Sequence, residues 1–393
     1  MKKILTLLLI VSLVAVAICP VSVMASETEA PVVEAADTQA APKEHIEYNL
    51  SLQDAIQMAL TDNPQLKAND HNRKAAEINI TSAAMSKTAA KRSTKAASQA
   101  GFFSTTTVEE ICMRKGYYVN AAKVQHELSI IERDRITAGI CYNVTNAYYN
   151  VVLMDMLVSA AKNSYSIALE NKTLVDAQYA QGLVPKMSYD NAGISVDAAK
   201  SKLEGYELNR DIAMHNLKNL LRVDDDCTIY LTDTIKIEDF TSDVDADVIS
   251  ALETRYDIIG AKKSYELSKE YFDCADAFTE KSAVYNTAYA DMINKENQYN
   301  SAKDGIELAI RSSYNTIISN KSAVSIAERT YDMAKREYEA AKLQYELGMI
   351  TNLQLTDIIY DLYEAEVSLS QAKVNYTMSV EKYKYDITIG LPQ

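Results

Sequence analysis

The residues best suited to acid–base, nucleophilic or metal chemistry are few and scattered, and their spacing serves none of these. His45, His71, His126 and His215 stand far apart, with no second ligand at metal-binding distance along the chain. Cys112, Cys141, Cys227 and Cys274 form no CxxC pair and have no neighbouring histidine. They read as buried small apolar residues; in an exported chain a pair of them could oxidise, and the sequence leaves open which. No GxSxG, HExxH or glycine-rich phosphate loop occurs. Carboxylates are abundant, at 54 Asp and Glu, yet a catalytic acid and base need an apolar pocket that separates their pKa values, and none is discernible. The expectation is a protein that is not an enzyme and holds no cofactor or metal.

The elements that carry these residues are long and helical. Ten glycines and six prolines serve 393 residues, while alanine, leucine, lysine and glutamate abound, which favours uninterrupted helices over a turn-rich β fold. Residues 1–25 have the layout of a secretory signal: Lys2-Lys3, an apolar run from Ile4 to Ile18, then Val23-Met24-Ala25 before Ser26. That run is short against the roughly 20 residues of a spanning helix. Cys19 follows Ile18, where lipid attachment would need a small residue. Loss of the signal removes Lys2 and Lys3 and no acid, so the net charge of −14 becomes still more negative. Such a surface is a poor partner for nucleic acid, and the basic patch from Lys87 to Lys95 reads as a solvated helix face. Residues 26–47, rich in Ala, Glu, Thr and Pro, read as a flexible spacer.

An internal duplication dictates the architecture. Gln178-Tyr179-Ala180-Gln181-Gly182-Leu183-Val184 recurs as Gln344-Tyr345-Glu346-Leu347-Gly348-Met349-Ile350, and the same offset pairs Tyr148 with Tyr314 and Leu203 with Leu369. Upstream, Ala59 to Leu66 corresponds to Ala251 to Ile258 at a larger offset, so the first copy carries extra residues between its helices. Within each copy the pattern is heptad-like. Ala327, Tyr331, Ala334, Tyr338, Ala341 and Tyr345 step by four and three, and Ala161, Tyr165, Ala168, Val175 and Tyr179 follow the same positions, which makes a coiled-coil seam. The stripe resumes beyond each glycine, as Val196 to Leu220 and as Leu362 to Tyr383. Gly182 and Gly348 sit where a left-handed residue ends a helix, and restart signals follow: Pro185 and Ser188 in the first copy, the Thr351-x-x-Gln354 capping box in the second. The expected fold is all-α: two tandem repeats of long helical hairpins over residues 48–223 and 245–393, joined by a linker, 224–244, in which Thr228-Ile229-Tyr230-Leu231 suits a short strand.

These residues, with the opening Ser51-Leu52-Gln53-Asp54-Ala55-Ile56, the Asn63-Pro64-Gln65-Leu66 step and Ala147-Tyr148-Tyr149, resemble the TolC-like outer-membrane efflux proteins over nearly all of the chain after the signal. The resemblance implies a homotrimer forming a helical tunnel in the cell envelope. It further implies that the hairpin tips dock an adaptor protein, which couples to an inner-membrane pump in a tripartite efflux or type I secretion system. The residues matching those tips are Tyr179, Gly182, Leu183 and Val184, and Tyr345, Gly348, Met349 and Ile350. In the family two acids on the second hairpin constrict the tunnel entrance; the matching positions are Gln354 and Asp357, so one acid is lost.

The family's membrane barrel is the point of departure. It arises from two β-strands inserted in each repeat, each needing about 9 to 11 residues of alternating pattern. The interval from Ile258 to Tyr314 is too short to hold two strands besides its helices, and Phe278 to Val284 reads as a charged turn. Only Phe102 to Val108 and Tyr117 to Val119 remain as strand remnants. The expectation is helix, short turn, helix, with the barrel strands missing or vestigial, as would suit an envelope without an outer membrane. The alternative function is a non-conducting elongated scaffold or interaction protein of the envelope.

Overall fold

The computed structural model describes residues 47–99, 107–235, 237, 239–278 and 282–392. The signal reading and nearly all of the spacer reading lie outside these residues. Nine helices and two strands follow one another among the described residues: β1 (Glu47–Leu50), α1 (Leu52–Leu60), α2 (Pro64–Gln99), α3 (Val108–Lys115), α4 (Tyr117–Ala180), α5 (Lys186–Leu221), β2 (Thr228–Leu231), α6 (Val244–Thr254), α7 (Tyr256–Asp276), α8 (Ala283–Glu346) and α9 (Asn352–Asp386).

The duplication is visible in the element bounds. α4 and α8 are each 64 residues long and start and stop at the same sequence offset, about 96 Å of helix at 1.5 Å per residue. α5 and α9 follow each at the same offset, and α6 and α7 repeat α1 and α2 at the larger one. The extra residues of the first copy lengthen α2 to 36 residues against 21 in α7, and add α3.

Packing places the helices on four parallel tracks. α4 touches α5, α2, α9 and α7, and α9 and α7 in turn touch α8; α5 also meets α9, where Leu203 and Tyr206 pack with Tyr363 and Val367 and Lys202 lies over the Tyr360 ring. The row therefore runs α2 and α5, then α4, then α7 and α9, then α8. Its two outer tracks are α2/α5 and α8.

At mid-length an apolar core locks the row. β1 pairs in parallel with β2, Glu47 opposite Thr228 and Leu50 opposite Leu231. Val144, Tyr148, Val151, Leu217, Leu221 and Ile229 pack beneath this ribbon with Ala55 and Ala59 of α1. Tyr148 is fully buried; its hydroxyl donates to Leu50 O at 3.1 Å and accepts from Asp233 N at 3.1 Å, tying α4 to β1 and to the segment just after β2. The second copy builds its equivalent from Ile310, Ile317, Tyr376 and Tyr383 against Val248 and Ala251 of α6, with Tyr383 donating to Asp247 at 2.6 Å. Each large apolar side chain buried here contributes about 1.5–3 kcal/mol.

The turn end corrects one expectation. Val108 opens α3 and Tyr117 to Val119 open α4, so these residues are helical and not strand remnants; residues 102–106 lie outside the described set. The physical reason is local: Thr107 caps α3 by accepting from Glu110 N, and Gly116, at φ +101, breaks α3 from α4. Residues 100–107 and 277–282 separate the described helices at this end, and each interval is shorter than the about 9 residues of one transmembrane strand. β1 and β2 are the strands among the described residues, and both lie at mid-length. No described helix is long and apolar enough to cross a membrane.

The hairpin tips as the candidate functional site

Both tips reverse by the same device. Gly182 and Gly348 sit at φ +72 and +73. Gly182 N donates to Tyr179 O and Leu183 N to Gln178 O; Gly348 N donates to Tyr345 O and Met349 N to Gln344 O, all at 2.8–2.9 Å. This is the Schellman pattern. A Cβ at either glycine would meet nothing within 4 Å, so backbone strain alone opposes a side chain there. The restarts differ. Thr351 and Gln354 form the expected capping box, with Thr351 N donating to Gln354 Oε1 at 2.8 Å. Pro185 instead takes the N-cap of α5, where it supplies no side-chain hydrogen bond.

The two tips share one core: Val175 and Ala192 of the first hairpin pack with Ala341, Tyr345, Leu355 and Ile359 of the second. Two side-chain bonds cross between the repeats. Tyr345 Oη donates to Gln178 Oε1 at 2.9 Å, and Asn352 Nδ2 donates to Asn171 Oδ1 at 2.7 Å in a buried pair. Burial pushes the Tyr345 phenol up, so it stays a neutral donor.

The residues that sequence reasoning assigned to docking therefore divide. Tyr345 is buried, and Val184 and Ile350 are half-buried against the shared core. Tyr179 is exposed but its ring packs on Tyr189, centroids 4.9 Å apart. Leu183 and Met349 are 69% and 71% exposed, and Met187 and Leu353, four residues on, are 71% and 58% exposed. Met187 and Leu353 lie outside the sequence reading of the tips, although the duplication pairs them: Leu183/Met187 repeats as Met349/Leu353 at the same offset as the glycines and outside the seam. Leu347, 67% exposed, joins them on the second tip. Each tip thus presents a small apolar cap on a polar surround.

Gln354 and Asp357 are both exposed on the first turns of α9. The Gln354 amide oxygen is occupied by the Thr351 cap, accepting from its N and its hydroxyl, and Asp357 is the acid of the two positions.

Between α4, α8 and α9, above the tips, runs a groove of about 270 Å³ lined by Asn163, Tyr331, Lys335, Tyr338, Tyr363 and Glu366. Burial pushes the Glu366 carboxyl up, against an opposing hydrogen bond from Asn163. No histidine or cysteine lines this groove; Ser164, Ser166 and Lys335 share its wall with Glu366. Among the described residues no group of three or more His, Cys, Asp or Glu could hold a metal ion.

No family model matches the chain. The Campylobacter jejuni CmeC outer membrane channel superposes with a TM-score of 0.68 over 87% of this chain and 86% of its own, at 14% identity. The outer membrane protein VceC of Vibrio cholerae gives 0.68 over 87% and 97%, also at 14% identity. The chain therefore has the TolC-like fold of these outer-membrane channels, built on long helical hairpins. In sequence it is similar to the Toxin and drug export protein A of Aggregatibacter actinomycetemcomitans, 24% identical over 135 residues. That match covers 34% of this chain and about a third of that relative, 30% of its length.

Proposed function

We propose that the chain is the conduit component of an efflux or type I secretion system in the cell envelope. Copies of it close edge to edge, as a homotrimer, into a helical tube whose tips dock an adaptor and, through it, an inner-membrane pump. The observation that carries this reading is where exposed apolar side chains fall. Those more than 60% exposed on the helices of the row lie along its outer tracks: Ile78 and Met85 on α2, Ile194, Leu208 and Ile212 on α5, and Leu308, Ile326 and Met333 on α8. The central tracks α4, α7 and α9 carry none at that level; apart from Ile249 on α6, the rest sit at the tips. Soluble monomers rarely leave such stripes open. An edge that fits a different edge of the next copy makes a heterologous contact, which closes into a ring when the rotation allows it.

The duplicated caps Leu183/Met187 and Met349/Leu353 suit an apolar partner surface, and Asp357 is the acid that would face the entrance. The experiment is light scattering on residues 26–393 without detergent, beside the double variant I326D/M333D. A wild-type trimer that dissociates to monomer in the variant, with unchanged helical content, supports the tube. A monomeric wild type sinks it and favours a non-conducting envelope scaffold. That second reading draws on the intervals at the turn end, each too short for a membrane strand; a strict need for detergent would count against it.

A further inference from the structure

At the turn end, opposite the tips, α3 lies against α7. α3 belongs to the extra segment of the first copy, whereas α7 belongs to the second. Cys112 of α3 and Cys274 of α7 are both fully buried in one small cluster with Val108, Ala275 and Ala288. The register is held by Lys115, whose ammonium donates to Asp273 O at 2.8 Å, one residue before Cys274. Asn120 adds a bond to the Glu270 carboxylate at 3.1 Å. The two side chains share this cluster, and the neighbouring Cys274 thiol adds to the burial that pushes the Cys112 thiol up. The other described cysteines have no such partner in reach: Cys141 faces Tyr385 of α9, and Cys227 precedes β2 at mid-length.

We propose that Cys112 and Cys274 form a disulfide that ties the inserted segment of the first repeat to the second repeat. The bond forms by exchange with an oxidised dithiol or a small-molecule disulfide. One cysteine thiolate attacks the oxidant's S–S bond and releases one thiol. The second thiolate attacks the mixed disulfide and releases the other. Two cysteine thiols are oxidised, and their two protons pass through solvent to the two thiolates that the oxidant releases, so the oxidant disulfide is reduced to two thiols. Folded, the pair is shielded: burial and the neighbouring thiol push Cys112 up to about 12, which leaves almost no thiolate at neutral pH. Exchange therefore takes place as the chain folds, before the cluster closes, and the finished bond is equally hidden from reductants. It closes a loop of about 160 residues, and long loops gain most from closure in the chain-entropy description.

The test is to refold residues 26–393 in a glutathione redox buffer, quench in acid, block free thiols with maleimide and digest without reductant. The same is done for C112S and for the double variant C141S/C227S, with circular dichroism to confirm folding. The expected result is one cross-linked peptide joining Cys112 to Cys274 in wild type and in C141S/C227S, absent in C112S. Reduction should lower the thermal midpoint of C141S/C227S by several degrees and leave C112S unchanged. Full maleimide labelling of both Cys112 and Cys274, or a cross-link from either to Cys141 or Cys227, overturns the assignment. Should refolding yield no folded protein, the same digest on exported chain, blocked before lysis, decides by the same two outcomes.

Discussion

α4 and α8 are equivalent helices of equal length in two copies of one unit, yet they are buried in different ways. α8 hides a narrow seam: Ile310, Ile317, Val324, Ala327, Ala341 and Tyr345 are buried, and the face opposite is solvent-exposed. α4 hides consecutive positions, Val151 to Leu153, Leu157-Val158 and Ala160-Ala161, because helices of both repeats cover it. The seam is a property of sequence, while the extra burial comes from a central place in the row. The same heptad unit thus yields a core helix in one copy and an edge helix in the other.

The largest expected effect tests this directly. Tyr148 and Tyr314 correspond by the duplication, but Tyr148 is fully buried with two hydrogen bonds, whereas Tyr314 is half-buried against Phe240 and Tyr383. Tyr148→Ala should cost about 3–5 kcal/mol, as large-to-small core changes do, and Tyr314→Ala about half of that. Urea midpoints at constant slope give the comparison. Equal losses would mean that place in the row does not set burial energy.

Much of the fold was legible because the signals are periodic and doubled. Gly182 and Gly348 marked the reversals, the three–four spacing marked the seam, and Thr228 to Leu231 marked β2. Lateral order was not legible: nothing in the heptads of α4 says that α9 and α7 will pack against it, since that depends on contacts between distant stretches of sequence, such as Glu127 with Lys263 and Arg135 with Tyr256. At the tips, sequence reasoning found the right turns but not which side chains face outward. A heptad register separates seam from surface, yet Tyr345 and Tyr179 hold equivalent positions with opposite exposure. The difference comes from the second hairpin seating Tyr345 on Gln178, an asymmetry between copies that an alignment of the two cannot show.

The bonds between repeats offer an intermediate effect. Asn352→Leu removes the donor to Asn171 Oδ1 and leaves a buried acceptor unpaired, at a cost of about 1–3 kcal/mol. The double variant N171L/N352L should recover part of that loss, since both polar groups then go. Additive losses in the double-mutant cycle would show that the pair does not couple the two hairpins. The corresponding positions in the repeats, Lys186 and Glu337, are exposed, so the same substitutions there should change stability by less than about 0.5 kcal/mol.

The smallest effect separates the two restarts. Thr351 satisfies Gln354 N and receives its side chain in return, so Thr351→Ala should destabilise by about 1 kcal/mol through loss of the cap. Pro185 makes no side-chain cap bond to α5; its contribution is a fixed φ that restricts the unfolded chain, and Pro185→Ala should cost about 0.4–1 kcal/mol. The two are separable by amide exchange. Loss of the Thr351 cap should raise exchange in the first turn of α9, at Leu353 and Gln354, because their native hydrogen bonding is weakened. Loss of Pro185 acts on the unfolded state and should leave the exchange pattern of the first turn of α5 unchanged relative to global stability. Faster exchange in the first turn of α5 alone would show that Pro185 holds the native turn, and the two tips would then be equivalent in mechanism as well as in fold.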